Sequence, residues 1–140
     1  MKTYQPKEKE IIRKWHLLDA KGEIVGRLAT KVSELLMGKL KPAFSKHMDM
    51  GDYVVLLNAE KVKFSGRKED KKIYSRHSGF PGGYREITAK LMREKFPDRI
   101  IKKAVFGMLP NNRLRNERMK RFNIVIGGKN PFESKFEEVK

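Results

Sequence analysis

The sequence predicts an α/β fold with a small, mostly parallel sheet and helices on both of its faces. Residues 15–20 are expected to form a short apolar strand that leads into a turn at 21–23. A helix should follow, because apolar residues then recur at helical spacing: Leu28, Val32, Leu35 and Leu36. Residues 53–57 are continuously apolar, which is typical of a strand covered on both faces. This order predicts a βαβ unit with a right-handed crossover.

Local signals predict the elements that come after the βαβ unit. Residues 62–64 can add a short strand, and the Thr88 hydroxyl can cap a helix that Pro97 ends. A second helix should begin near Asp98, because the apolar residues that follow share one helical face. The last predicted elements are a basic, helix-compatible segment at 113–121 and an apolar strand at 122–126.

The 140 residues are expected to form a single domain, because no internal repeat or linker divides them. Three parts should lie outside its core. They are a polar N-terminal arm at 1–14, a basic loop at 65–86 and an extended C-terminal tail at 129–140.

The charge of the chain restricts its partners. There are 33 Lys and Arg residues against 17 Asp and Glu residues, so the net charge is +16. A small protein with this charge is expected to work beside RNA, DNA or an anionic membrane. A membrane fits poorly, because no run approaches the ~18 apolar residues of a spanning helix. The N-terminus lacks the apolar core of a signal peptide, and the absence of cysteine is compatible with a reducing compartment.

The cations gather in clusters that suit folded RNA, since cations contact phosphates, rings stack on unpaired bases and glycines permit close approach. The central basic segment, residues 63–85, supplies Lys63, Arg67, Lys68, Lys71, Lys72, Tyr74, Arg76, His77, Gly79, Gly82, Gly83, Tyr84 and Arg85. The second cluster is Lys39, Lys41, Lys46 and His47, and the third cluster is Arg113, Arg115, Arg118, Lys120 and Arg121. Arg27 and Lys31 form a further pair one helical turn apart.

Enzyme motifs find little support in the sequence. The sequence around Ser33 does not match the phosphate-binding loop motif, because Ser33 occupies the position of its first glycine. The motifs G-x-G-x-x-G and G-x-S-x-G are also absent from the sequence. The three histidines lie far apart, so no metal site is indicated. Asp19 and Asp52 lie beside strand ends, where catalytic groups are common in α/β enzymes, but aspartate also stabilises turns and that role is favoured. We therefore expect no catalytic residue, metal or cofactor.

Several blocks of the sequence resemble the large-subunit ribosomal protein thirteen family. They are Trp15…Asp19-Ala20, Gly26-Arg27-Leu28-Ala29, Gly51-Asp52-Tyr53, Ser65-Gly66-Arg67-Lys68, His77-Ser78-Gly79-Phe80-Pro81-Gly82-Gly83 and Gly107-Met108-Leu109-Pro110. The resemblance implies a three-layer α/β/α fold with a four-stranded parallel sheet, and it makes the basic loop at 65–86 the RNA-contacting region. The chain departs from the family pattern at Asn130-Pro131-Phe132, so the tail is left out of the predicted RNA-binding surface.

The resemblance also implies a function. We expect a non-enzymatic structural protein that binds large-subunit rRNA early in subunit assembly, remains ribosome-bound in the cytoplasm beside neighbouring ribosomal proteins, and forms no stable homo-oligomer. Tyr74, His77 and Tyr84 would stack or hydrogen-bond, while the arginines and lysines contact phosphates. Two alternatives stay open at this point: a small nuclease that uses Asp19, Asp52 and a divalent ion, and a free regulatory RNA-binding protein.

Overall fold

The computed structural model describes residues 4–137, which contain five strands and six helices. The strands are β1 (Trp15–Asp19), β2 (Tyr53–Leu57), β3 (Ile73–His77), β4 (Tyr84–Thr88) and β5 (Phe122–Ile124). The helices are α1 (Val25–Met37), α2 (Lys68–Lys71), α3 (Ala89–Lys95), α4 (Pro97–Met108), α5 (Leu114–Lys120) and α6 (Glu133–Glu137). Two single 3-10 turns, Glu8–Glu10 and Ala59–Lys61, complete the described elements.

The centre of the protein is a parallel sheet with the strand order β1-β2-β5. Trp15 lies opposite Tyr53, and Val54 lies opposite Phe122. Helix α1 connects β1 to β2, which confirms the predicted βαβ unit. Val54 and Val55 point to opposite faces of β2, yet both are fully buried, so both faces of this strand are covered. The mixed α/β class with a small parallel sheet is therefore confirmed.

The parallel sheet has three strands rather than the expected four. The strand expected at 62–64 is reduced to one bridge, in which Lys63 pairs with Ile24. The reason is local, because Asn58 adopts a left-handed conformation with φ 55° and starts the 3-10 turn at Ala59–Lys61.

The main core fills one face of the sheet. Leu28, Val32 and Leu36 of α1 pack with Val54 and Leu56 of β2 in one buried cluster. Helix α4 joins the same cluster through residues that include Ile101 and Val105, and α1 and α4 contact each other directly. The helices that carry the core thus lie on the Val54 face of the sheet.

The opposite face carries an aromatic stack. Trp15 lies on Tyr53 with ring centroids 4.4 Å apart, and both residues point to the Val55 face. Phe132 and Phe136 of the C-terminal segment reach Trp15, at 5.9 Å and 6.0 Å between centroids. The tail expected to be extended at 129–140 therefore contains α6 and packs against the sheet; its last three residues lie outside the described part of the chain.

The basic loop expected at 65–86 is largely regular structure. It contains α2 and most of a two-stranded antiparallel hairpin formed by β3 and β4. Gly79 and Gly82 have φ values of 86° and 71°, which lets the connecting loop reverse the chain. Tyr74 and Ile87 lie opposite each other and pack against the main core. These two side chains fix the hairpin to the domain, which the sequence pattern did not reveal.

Candidate nucleic-acid interface

The hairpin and α2 present an exposed cationic surface. Seven cations of the central basic segment are exposed and, among residues 4–137, none of them pairs with a carboxylate: Lys63, Arg67, Lys68, Lys71, Lys72, Arg76 and Arg85. Unpaired surface cations of one sign create a field that attracts a polyanion. The structure groups Arg67, Lys68, Lys71 and Lys72 around one shallow pocket and places Arg76 opposite Arg85 in the hairpin.

The acids near α2 do not neutralise it. Glu69 accepts an ion pair from Arg93 of α3 at 2.9 Å, and the Arg93 guanidinium lies 5.5 Å from the centroid of the Phe64 ring. Glu69 is thus engaged with a neighbouring helix, while Lys68 and Lys71 remain available to solvent. The Lys68 ammonium donates to the Ser65 hydroxyl at 3.2 Å, which orients it beside the loop.

The end of the hairpin combines small residues with exposed rings. The Gly79 N–H donates to His77 Nδ1 at 2.9 Å, which leaves the exposed Nε2 of that ring directed away from the bond. Phe80 is 74% exposed, and the Tyr84 hydroxyl donates to Glu86, a hydrogen bond that raises the pKa of Tyr84. A Cβ at Gly83 would collide with the Ser78 side chain, so only glycine fits there.

Tyr74 has a different place from the one that stacking would require. Burial raises the pKa of its hydroxyl, and its ring packs against the main core. The Lys72 and Lys103 ammonium groups lie 5.2 Å and 5.3 Å from its ring centroid. Tyr74 therefore anchors the hairpin and lies beside two cations; its ring is partly buried, whereas it was predicted to stack on or hydrogen-bond to RNA.

The second cluster is divided. Lys39, Lys46 and His47 are exposed, but the Lys41 ammonium points inward and donates to Asp52 Oδ1 at 2.5 Å. It also donates to the Met50 carbonyl at 2.9 Å. Lys41 is therefore a structural cation and leaves the predicted binding surface.

The Asp52 carboxylate accepts hydrogen bonds from three groups, the Lys14 N–H, His16 and Lys41. Burial by itself would raise its pKa, but hydrogen bonds from Lys41, the Lys14 N–H and His16 lower it below the usual range. His16 Nε2 lies 2.9 Å from Asp52 Oδ2, so the predicted structural role of this histidine is supported. Asp52 holds the start of β2 to the chain before β1.

Two of the five residues of the third cluster are internal. Arg118 is 1% exposed and Arg121 is 7% exposed, and both face the Asp49 carboxylate. Arg121 binds it through both terminal nitrogens, with Nη2 at 2.6 Å from Oδ1. Burial lowers the pKa of Arg118, and Asp49 opposes that shift. Both guanidinium groups are therefore engaged inside the protein rather than exposed on the surface where RNA contact was predicted.

The remaining residues of the third cluster differ in availability. Arg115 donates to the carbonyls of Leu109 and Pro110, at 3.0 Å and 3.1 Å, and so holds the end of α4. Lys120 is paired with Glu117 at 2.8 Å on the surface, and Arg113 is exposed. In the additional pair, Arg27 and Lys31 are exposed, and Lys31 lies 3.5 Å from Glu23.

The basic surface also includes two cations that were not predicted from the sequence. Arg99 and Lys103 of α4 line the same cavity as Arg76 and Arg85 of the hairpin. They are one helical turn apart on the side of α4 opposite its buried residues, a spacing that the sequence does show. Only the docking of the hairpin reveals that they belong to the basic surface.

Asp19 and Asp52, the two carboxylates that a nuclease would need close together, lie far apart in the structure. Asp52 precedes Tyr53, which pairs with Trp15, whereas Asp19 pairs with Leu57 at the other end of the strands. Five residues of strand separate the two carboxylates, which is about 16 Å. Within residues 4–137, no group of three or more His, Cys, Asp or Glu side chains could hold a metal ion. The described helices also include none that is long and apolar enough to cross a membrane.

Fold and surface together define a small basic α/β protein built to bind a polyanion. A profile of the family described as ribosomal protein L13 matches residues 13–131. The large ribosomal subunit protein uL13 of Chloroflexus aggregans is 48% identical over 131 residues, which cover 94% of this chain and 92% of that protein. The proteins of the same name from Dictyoglomus thermophilum and Thermotoga petrophila are each 45% identical, over 96% and 95% of this chain and 94% and 89% of their own lengths.

The chain therefore belongs to the ribosomal protein L13 family. The resemblance given by its sequence blocks is confirmed. Membership of this family makes the chain a structural protein rather than an enzyme.

Proposed function

We propose that this protein is a structural constituent of the large ribosomal subunit that binds large-subunit rRNA and supports early assembly. The observation that carries the proposal is a set of seven exposed cations on α2, on the hairpin and in the segments beside them, none of which forms an ion pair among residues 4–137. The relatives are named as large ribosomal subunit proteins, which supplies the setting. The protein acts in the ribosome, in the cytoplasm, beside neighbouring ribosomal proteins.

Burial revises the binding surface that was expected from sequence. Lys41, Arg118 and Arg121 are removed because their charges are satisfied inside the protein. Tyr74 and Arg115 act as anchors. The predicted residues that remain are Arg27, Lys31, Lys39, Lys46, His47, Lys63, Arg67, Lys68, Lys71, Lys72, Arg76, His77, Tyr84, Arg85, Arg113 and Lys120, with the backbone of Gly79, Gly82 and Gly83. Arg99 and Lys103 are added to them.

The α2 surface is the part most directly tested by mutation. Replacing Arg67, Lys68, Lys71 and Lys72 with Ala should weaken binding to large-subunit rRNA and leave the fold intact, because all four side chains are exposed. If each contacts one phosphate, the slope of log K against log salt should become shallower by about 3. Filter binding at several salt concentrations measures this slope, and circular dichroism checks the fold.

A matched variant separates local contact from net charge. Lys9, Lys14, Lys129 and Lys135 are also exposed, and they lie outside the proposed surface. Replacing these four with Ala removes the same charge and should change affinity and slope far less. Equal losses in the two variants would mean that bulk charge alone holds the RNA and would remove α2 from the site.

Sedimentation of a cell lysate tests the ribosomal setting. The protein should migrate with the large subunit. A protein found mainly in the ribosome-free fractions would favour the free regulatory role instead, and it would contradict the structural one.

A further inference from the structure

A small cavity lies where the hairpin meets α3 and α4. Its volume is about 250 Å³, and four cations line it, two from the hairpin and two from α4: Arg76, Arg85, Arg99 and Lys103. Its apolar lining includes Met92, Phe96 and Ile87. Sites that bind organic groups are commonly of this kind, with apolar walls and a few convergent polar groups.

The cavity carries an excess of positive charge, with four cations and one carboxylate in its lining. Among residues 4–137, none of these four cations forms an ion pair. Arg76 and Arg85 are direct cross-strand partners, a position in which like charges destabilise a sheet. Glu86 also lines the cavity, but its carboxylate accepts the Tyr84 hydroxyl. Glu86 keeps its negative charge in this hydrogen bond, so the lining carries four cations against one carboxylate and remains positive, with two adjacent guanidinium groups available to one anion.

One wall of the cavity is a flat cation–aromatic pair. The Arg99 guanidinium lies 3.9 Å from the centroid of the Phe96 ring, a distance at which the two groups stack. Unpaired bases of RNA stack on aromatic rings and on guanidinium planes. Phe96 is 37% exposed, so part of its ring is accessible.

We propose that this cavity binds one unstacked nucleotide of the RNA. Arg76 and Arg85 hold its phosphate, and its base lies against the pair formed by Phe96 and Arg99. The cavity volume of about 250 Å³ lies just below the range for ligand pockets, which begins at about 300 Å³, so the cavity has room for the base, the planar part of the nucleotide. This inference rests on the proposed function and adds an enclosed base-binding site to the exposed rings expected at the end of the hairpin.

Nucleotide titration of the full-length protein tests the proposal. The probes are adenosine monophosphate, which has a phosphate and a base, and ribose 5-phosphate, which lacks the base. NMR should show saturable shifts of the Met92 methyl group with adenosine monophosphate, and its affinity should exceed that of ribose 5-phosphate about ten-fold, since base stacking on a protein ring contributes on that scale.

Three variants assign the two parts of the nucleotide. Phe96→Leu should lower the affinity for adenosine monophosphate about ten-fold and leave ribose 5-phosphate unchanged. Arg99→Lys, which keeps the charge and removes the guanidinium plane, should act in the same direction and serves if the first variant does not fold. Replacing Arg76 and Arg85 with Ala should weaken both probes.

The matched control removes two cations of the same segment that lie outside the cavity. Replacing Arg67 and Lys68 with Ala should reduce RNA affinity but change the affinity for adenosine monophosphate less than two-fold. Equal affinity for the two probes, or the absence of shifts at Met92, would overturn the nucleotide site. If salt-dependent rRNA binding persists in that case, only this inference fails; if that binding is absent too, the proposed function fails with it.

Discussion

The central basic segment and the third basic cluster look alike in sequence and have opposite positions in the fold. The first places seven cations on the surface without an acidic partner, whereas the third buries Arg118 and Arg121 against Asp49. The difference is not one of composition. It comes from an aspartate 72 residues away from Arg121 along the chain, which the fold brings into contact with it.

The comparison shows that a run of arginines does not identify a binding surface by itself. A buried guanidinium requires a paired acceptor, since an isolated charge inside a protein is very unfavourable. Asp49, in the segment 49–51, is the acceptor for both Arg118 and Arg121. The close approach of this segment to α1 depends on Gly51, where a Cβ would collide with the Leu36 carbonyl oxygen.

The largest expected effect comes from removing the internal acceptor. Asp49→Ala leaves Arg118 and Arg121 buried without a carboxylate, and breaking a buried ion pair in this way typically destabilises a protein by about 3–5 kcal/mol. Urea denaturation followed by Trp15 fluorescence measures the free energy of unfolding. Glu117→Ala is the control, because it breaks an exposed pair with Lys120 and should change stability by less than about 1 kcal/mol.

Equal effects of the two replacements would contradict the distinction between internal and surface arginines. The pair of buried guanidinium groups would then be stabilised by something other than Asp49. A variant that retains stability but gains affinity for RNA would instead show that these arginines can turn outward.

A smaller effect is expected at Asp52, the second internal acceptor. Its pKa is lowered in the folded state despite burial, because Lys41, the Lys14 N–H and His16 donate to it. The contribution of Asp52 to stability is therefore present above its unfolded pKa of about 3.9 and is lost as the pH falls through the lower folded pKa. Denaturation between pH 3 and pH 7 should show that Asp52→Asn is less stable than the wild type near neutrality.

The pH dependence of this denaturation series also tests the direction of the Asp52 pKa shift. The difference in free energy of unfolding between the wild type and Asp52→Asn should become smaller below about pH 4, since acid removes the charge that the variant lacks. A difference that grows in acid would contradict the assignment. Asp70→Asn is the control on α2, where the carboxylate is exposed and has no ion-pair partner among the described residues.

The smallest expected effect on stability is at the hairpin, where the substitution should stabilise the protein instead of destabilising it. Arg85→Thr removes one of two like charges that face each other across β3 and β4, so it should stabilise the protein by about 0.2–1 kcal/mol. The same change should weaken RNA binding. Thermal denaturation and filter binding measure the two quantities, and a loss of stability would mean that Arg85 has a structural role like that of Arg121.

The sequence predicted the βαβ unit, helices α3 and α4 and the L13 family correctly. Those features depend on periodicity, capping and residue order, which are local. It did not predict the hairpin within 65–86 or the packing of Phe132 and Phe136 on Trp15. Both depend on contacts between distant segments, because Tyr74 and Ile87 become an apolar surface only when β3 and β4 pair and dock on the core.

What the sequence determined by itself is the kind of protein: a small α/β domain with a net charge of +16 that needs a polyanion. Charge and short-range pattern are additive properties of the chain and can be read without coordinates. The tertiary structure alone decided which cations lie on the surface and which are internal, and it placed Arg99 and Lys103 beside the hairpin. The physical reason is that a cation can be buried only where the fold places an acceptor opposite it, and otherwise it stays exposed to solvent.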